Sequence, residues 1–190
     1  MYKHLLRPFA YLTIDDKKKW IVDWIYPLAL TIISVLIIVI IKFIAPVALY
    51  ADGGIVGKIL SFTQNLPGFY IAALAAIATF NRVDIDKTMP APAPKLDIMV
   101  RGRTVAIELT RRRFLCSMFA FLTAESIVLI VLSIFSQSFF GGMKKYFNNR
   151  YHIFISISFI FFYLLIFWQM IITSFWGLFY LGERLHQPEA

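Results

Sequence analysis

A single carboxylate inside an apolar run is the residue in this chain that most invites chemistry. Glu125 lies eleven positions after Phe114, in a stretch otherwise built from Phe, Leu, Ala, Ile, Val, Met and Cys with scattered hydroxyls. At about 1.5 Å per residue it would sit roughly 16 Å into a membrane-crossing helix. A charged carboxylate there costs at least ~2.5 kcal/mol, so it must be protonated, hydrogen-bonded or facing water. Gln169 lies ten positions before Phe179 on the last apolar run and reaches about the same depth on a returning helix. Both are expected to face the interior, within hydrogen-bonding reach of each other. That pairing reads either as a proton-sensitive or ion-lining site, or as a structural polar bond between helices or subunits. Gln64 and Asn65 form a second polar pair beside Pro67. They would line an outward cavity or satisfy backbone groups that the proline frees.

Little else suggests catalysis. There is no Walker-type loop, no HExxH and no nucleophile elbow. His4, His152 and His186 are scattered, so no metal site is expected. One carboxylate in the membrane is too few for paired-acid chemistry, and the polar loop is too small for a catalytic domain. The chain reads as a non-enzyme with no cofactor. Cys116 is the single cysteine, so no intrachain disulfide can form and a buried thiol is the default.

The elements that must position these residues are greasy. The 190 residues are 59% hydrophobic and 17% aromatic, with 19 Phe. A soluble domain averages about 45–50% apolar, so lipid must be the solvent for most of this chain. The fold class is an all-α membrane protein, a four-helix transmembrane bundle in one domain covering the whole chain. Its helices are expected at about 14–45, 57–81, 110–137 and 151–181. The first apolar run is too long for a signal peptide and lacks a convincing cleavage site. Thr13 with Asp16 fits a helix cap, and Trp20 and Trp24 read as interfacial anchors. The second span is the weakest, because Gln64, Asn65, Pro67 and Gly68 interrupt it; Pro67 is expected to kink the helix or end a short outer segment, and a re-entrant segment is the alternative. Ala72 and Ala76 share one face and allow close approach of a neighbouring helix. Gly141-Gly142 is expected to turn the chain after the third span.

The longest polar region, a loop at about 82–109, carries two β-prone runs around Arg101-Gly102-Arg103-Thr104 and reads as a β-hairpin. An isolated hairpin is marginal in water, so it should pack on a copy of itself or on a partner. Lys95, Asp97, Arg101, Arg103 and Glu108 are its candidate docking residues. Nucleic acid, anionic lipid or a cytosolic protein would each suit a basic loop. The alternating strands favour protein, and no direct nucleic-acid contact is expected. Lys17, Lys18 and Lys19 on one side, and Arg111, Arg112 and Arg113 on the other, are expected at lipid-headgroup height. With four crossings, 14 of the 19 Lys and Arg fall on one face: five in the N-terminal segment, eight in the 81–113 region and one in the tail. The positive-inside rule puts that face, and both termini, in the cytosol.

The layout of a basic N-terminus (MYKHLLRPFAYLTIDDKKKW), four apolar spans and one basic loop (APAPKLDIMVRGRTVAIELTRRRF) resembles the membrane subunit of the Kiwa anti-phage defence system. The resemblance is one of architecture over the whole chain and carries over no individual residue. It implies a homo-oligomeric sensor in the bacterial inner membrane, with four copies as one option. Such a subunit detects envelope disturbance by phage and acts through a cytosolic DNA-binding partner. Two other readings compete. One is an oligomeric pore or depolarising effector lined by Glu125, Gln169, Gln64 and Asn65; the other is a membrane protein resembling colicin immunity proteins in size and span count.

Overall fold

The computed structural model describes residues 5–16, 19–45, 48–51, 53–79, 83–90, 93–100, 103–146 and 149–184. It is mostly helical, with five helices and one two-stranded hairpin. After a 3-10 segment, Arg7–Thr13, comes a π-helical turn, Ile21–Ile25, that runs into α1, Tyr26–Ile44. Then follow α2, Ile55–Thr63, and α3, Leu66–Thr79. A helical turn, Val83–Asp86, leads to β1, Lys95–Val100, and β2, Arg103–Glu108. The chain closes with α4, Arg111–Tyr146, and α5, Asn149–Phe179, extended by a π turn, Tyr180–Arg184. Among the described residues, three helices are long and apolar enough to cross a membrane: Ile21–Ile44, Arg111–Phe139 and Ile153–Gly182.

Proline chemistry sets several of these boundaries. Ala45 turns extended (φ −146°, ψ 152°) because it precedes Pro46, whose ring disfavours a helical neighbour. Pro67 has no N–H to offer the Thr63 carbonyl, and the expected second span accordingly parts into α2 and α3 across Gln64 and Asn65. The span expected at about 57–81 is thus two shorter helices, with Pro67 marking the end of a short outer segment rather than a kink within one helix. Gly141-Gly142 does not turn the chain; α4 runs through both to Tyr146. Thr13 does not cap the first span either. Its hydroxyl donates to the Ala10 carbonyl at 2.8 Å and closes the 3-10 segment. Thr110 does cap α4, accepting from the Arg113 N–H at 3.3 Å.

The core centres on α4. α3 and α5 pack along it, the 3-10 segment lies on its first turns, and α1 packs chiefly on α5. α4 and α5 are antiparallel: Phe114 meets Tyr180 with ring centroids 5.4 Å apart, and the Ser133 and Tyr163 hydroxyls bond at 2.7 Å. Gly54 admits a close approach, since a Cβ there would stand 2.7 Å from the Ala48 carbonyl oxygen.

The hairpin is not isolated. Its register pairs Val100 with Arg103, leaving a two-residue connection, so Arg103 and Thr104 belong to β2. Asp15 bridges Lys95 in both directions, N–H to carbonyl, at 3.0 and 3.3 Å. Thr88 bridges Thr110, and Leu96, Met89 and Leu109 join the buried cluster that holds Tyr11 and Phe114. The hairpin therefore gains its third partner from its own N-terminal segment.

Candidate functional site

The chain's N-terminal segment supplies the polar centre of the bundle. Aromatic packing seats it: Tyr11 is fully buried, stacked on Phe121 at 5.1 Å and tilted against Phe114 at 6.1 Å. From there its hydroxyl donates to the Asp23 carboxylate at 3.4 Å. Lys19, one helical turn before Asp23, makes an ion pair with the same carboxylate, and its ammonium lies 4.0 Å from the Tyr11 ring centre. Each of these two charged residues is only 2% exposed. Burial pulls the Lys19 ammonium below the ordinary lysine range, and the paired carboxylate opposes that shift. Burial, then Asp23, pushes the Tyr11 hydroxyl well above its usual range, so it stays a donor.

Asp23 also offers its backbone. Pro27 stands four residues on, where a helical N–H would ordinarily bond the Asp23 carbonyl, and proline has none. The local π turn is a second sign of the disturbed ladder, with the Tyr26 N–H going to the Ile21 carbonyl. Gln169 on α5 fills the vacancy: its Nε2 donates to the Asp23 carbonyl oxygen at 2.9 Å.

Glu125 faces this group from α4. It is 2% exposed, and neither carboxylate oxygen has a partner among the described residues. It lies one helical turn after Phe121, the ring on which Tyr11 stacks. Glu125 and Gln169 thus face the interior in one neighbourhood, but the expected contact between them is corrected, because the amide is committed to Asp23. Both Glu125 and Gln169 lie near the middle of their own candidate spans, Arg111–Phe139 and Ile153–Gly182, and Gln169 there meets Asp23, the third residue of the first span. A shallow cavity of about 290 Å³ opens beside the group, lined among others by Asp15, Asp16, Lys19, Trp20, Asp23 and Trp24.

No protein-family model, curated protein or solved structure matches the chain.

The other sequence-derived candidates fall elsewhere. Gln64 and Asn65 are exposed at the α2–α3 turn and do not join Glu125. Lys19 leaves the headgroup set, because it is buried in the ion pair. Arg111 leaves it as well, being 5% exposed. Arg112 is occupied by protein: it forks onto Asp86 at 2.6 and 3.0 Å and reaches the Ile77 and Ala78 carbonyls that end α3 at 2.8 and 3.1 Å. That bond holds the Asp86 carboxyl below the usual carboxylate range. Arg113 is exposed. Lys17, Lys18 and Arg101 lie outside the described residues. Lys95 and Glu108 are exposed on the hairpin, and Asp97 and Arg103 lie on its two strands.

Asp23 and Tyr11 were missed by sequence reasoning. Asp23 reads as the end of a charged stretch, and Tyr11 carries no signal of its own in the basic N-terminal segment. A signal was present: Pro27 four residues after an acid announces an orphan carbonyl.

Proposed function

We propose that this chain is a membrane-embedded sensor and scaffold subunit of a bacterial anti-phage defence complex, without enzymatic activity of its own. It sits in the inner membrane as a homo-oligomer with both termini in the cytosol. Four crossings fit this reading, with α2 and α3 together making the second. The basic loop docks a cytosolic DNA-binding effector.

One observation carries the reading. The docking hairpin is tied through the Asp15–Lys95 bridge to the segment that seats Tyr11, Lys19 and Asp23 against Glu125 at the foot of the first span. A disturbance that shifts α1 against α5 would pull on that segment and so on the hairpin. Such coupling suits a sensor, since a signal must cross from the lipid-facing helices to a surface that a partner reads. The charge asymmetry and the architectural resemblance to the Kiwa membrane subunit support the same reading.

The test is co-purification of a soluble partner from the native host in mild detergent, followed by mass analysis of the intact complex. Changing Arg101 and Arg103 to Glu is expected to release the partner. Retention by that variant would remove the docking site from this loop.

A second reading, an oligomeric pore, is favoured by the exposed amides of Gln64 and Asn65 on a membrane helix pair, which would be costly against lipid. Ion leakage from vesicles holding the purified chain, abolished by Glu125→Ala, would carry it; tight vesicles would exclude it.

A further inference from the structure

Water, a hydrogen-bond donor or an opposite charge can each sustain a carboxylate inside a protein, and Glu125 has none of them among the described residues. It is 2% exposed, and neither of its carboxylate oxygens has a hydrogen-bond partner there. The Lys19 ammonium is committed to Asp23. No group of three His, Cys, Asp or Glu that could hold a metal ion comes together among the described residues. An unpaired ionised carboxylate in such surroundings costs far more than a neutral acid, so the carboxyl keeps its proton. What closes the site is the N-terminal segment. Phe9 and Tyr11 both pack on Phe121, at 6.0 and 5.1 Å, one helical turn before Glu125. The antiparallel pairings of Phe114 with Tyr180 and of Ser133 with Tyr163 set Glu125 level with Met170, beside Gln169, whose amide holds the Asp23 carbonyl.

We propose that Glu125 is a proton-binding site: the closed bundle holds its carboxyl neutral, and the proton leaves to water when the N-terminal segment lifts from α4. This rests on the sensor reading and names its regulation, since the same segment is tied through Asp15 and Lys95 to the hairpin. The other groups around this level do not compete for the role. The N-terminal segment and the first span bring Tyr11 and the Lys19–Asp23 pair, whose two charges offset each other. α3 brings Tyr70, bonded to the Ser174 hydroxyl at 2.7 Å, and α2 brings Lys58, which is exposed. α5 brings Gln169 and Thr173, which do not titrate, with Tyr163 and Tyr180 about two or more turns away. The phenols are neutral near pH 7, which leaves Glu125 as the group whose proton can change hands. The cavity of about 290 Å³ lined by Lys19 and Asp23 gives that proton its way to water. Once it has left, two carboxylates face one ammonium, and closure is disfavoured until the proton returns.

The test uses the full chain in detergent, with infrared spectroscopy and hydrogen exchange read across pH. At neutral pH the parent is expected to show the C=O band of a protonated carboxyl. Isotope-labelled glutamate should shift that band, which assigns it without any variant, and Glu125→Gln should lose it. Opening of the segment releases one proton above the ordinary glutamate value of about 4.3, so opening becomes about tenfold more frequent with each further pH unit. Closure is therefore strongest on the acid side and weakens as the pH rises. Protection factors over Arg7–Thr13 and Ile21–Ile25, corrected for intrinsic exchange, are expected to fall with that slope in the parent and to stay flat in Glu125→Gln. A parent without the band, a band that labelled glutamate does not shift, or equal slopes in the two chains overturns the proposal. Should Glu125→Gln fail to fold, the band and the slope of the labelled parent decide. If the parent's slope is flat while the soluble partner still co-purifies, the sensor reading stands and the proton site does not. If band and slope are both present and no partner is found, the proton site stands and the sensor reading fails.

Discussion

The first span and α4 are both apolar enough to cross a membrane, yet the bundle uses them in opposite ways. Within the most apolar stretch of the first span 11% of residues are buried, against 44% for α4. Leu36, Ile37 and Ile40 on α1 are about half exposed, whereas between Phe114 and Ser126 α4 has no exposed residue. Apolarity does not rank helices by burial when the surroundings are lipid, because lipid tails accept Leu as readily as a protein core does. Polar groups give the better guide. α4 carries Glu125, Ser126, Ser133 and Ser136 on its buried side, and α1 meets α5 through Asp23 at its foot and Ser34 further along, the latter accepting from Trp168 Nε1 at 2.9 Å. α1 thus packs chiefly on α5, with two polar contacts among its apolar ones, and α4 is the axis.

The foot of α1 is where that contrast breaks most visibly. Asp23→Ala leaves the Lys19 ammonium buried without its partner, a change that costs about 3–5 kcal/mol for pairs of this kind. A large fall in the thermal midpoint in detergent is expected. The double change Lys19→Met with Asp23→Leu should recover most of it, because an apolar pair needs no compensation. If Asp23→Ala melted like the parent chain, the pair would not be holding α1.

Truncations along the two helices sharpen the ranking. Leu122→Ala on α4 opens a cavity at a fully buried site and should cost about 2–5 kcal/mol. Leu36→Ala on α1, at a position 55% exposed, should stay within about 0.5 kcal/mol. Equal losses, read by the same melting experiment, would mean that α1 is covered as fully as α4 in the intact assembly.

Gln169→Leu removes the donor to the Asp23 carbonyl and is expected to cost about 1–3 kcal/mol, the penalty of a buried unsatisfied group. Pro27→Ala restores a helical N–H to that carbonyl. In its background the Gln169→Leu penalty should shrink, and a double-mutant cycle on thermal midpoints measures the coupling. Additive losses would show that the amide and the proline do not share the Asp23 carbonyl.

The smallest effect concerns the Arg112 fork at the far end of α3. Arg112 lowers the folded-state value of the Asp86 carboxyl, so the contact adds stability above the ordinary carboxylate value of about 4. That contribution fades as the pH falls through the lower, folded-state value. Limited proteolysis of the Val83–Asp86 turn should accelerate over that acid window in the parent chain and show no such step in Asp86→Asn. The Asp23 pair lies away from this turn, so the first span should stay protected throughout.

Much of the helical framework was legible in the chain. Long apolar runs, Trp20 and Trp24 at a boundary, and the alternating strands around Arg101-Gly102 each announce their element by period and composition. Local steric rules also reached the backbone: Pro46 ends α1, and Pro67 divides α2 from α3. Gly141-Gly142 misled, because glycine permits a turn without requiring one. Lys19 misled because its neighbours Lys17 and Lys18 made it read as one of a solvated trio. Only its spacing from Asp23, one helical turn, hinted at a pair.

The sequence by itself determined which stretches are helical and apolar, and which loop is basic, since those properties follow from neighbours within a few residues. The tertiary structure decided which distant groups surround the Lys19–Asp23 pair. Tyr11, Lys19 and Asp23 converge on Glu125 and Gln169 because the N-terminal segment folds back onto α4 and is held there by stacked rings and the bridge to Lys95. The physical reason is reach: the N-terminal trio lies more than a hundred residues from Glu125 and Gln169 along the chain, and local periodicity carries no information at that distance.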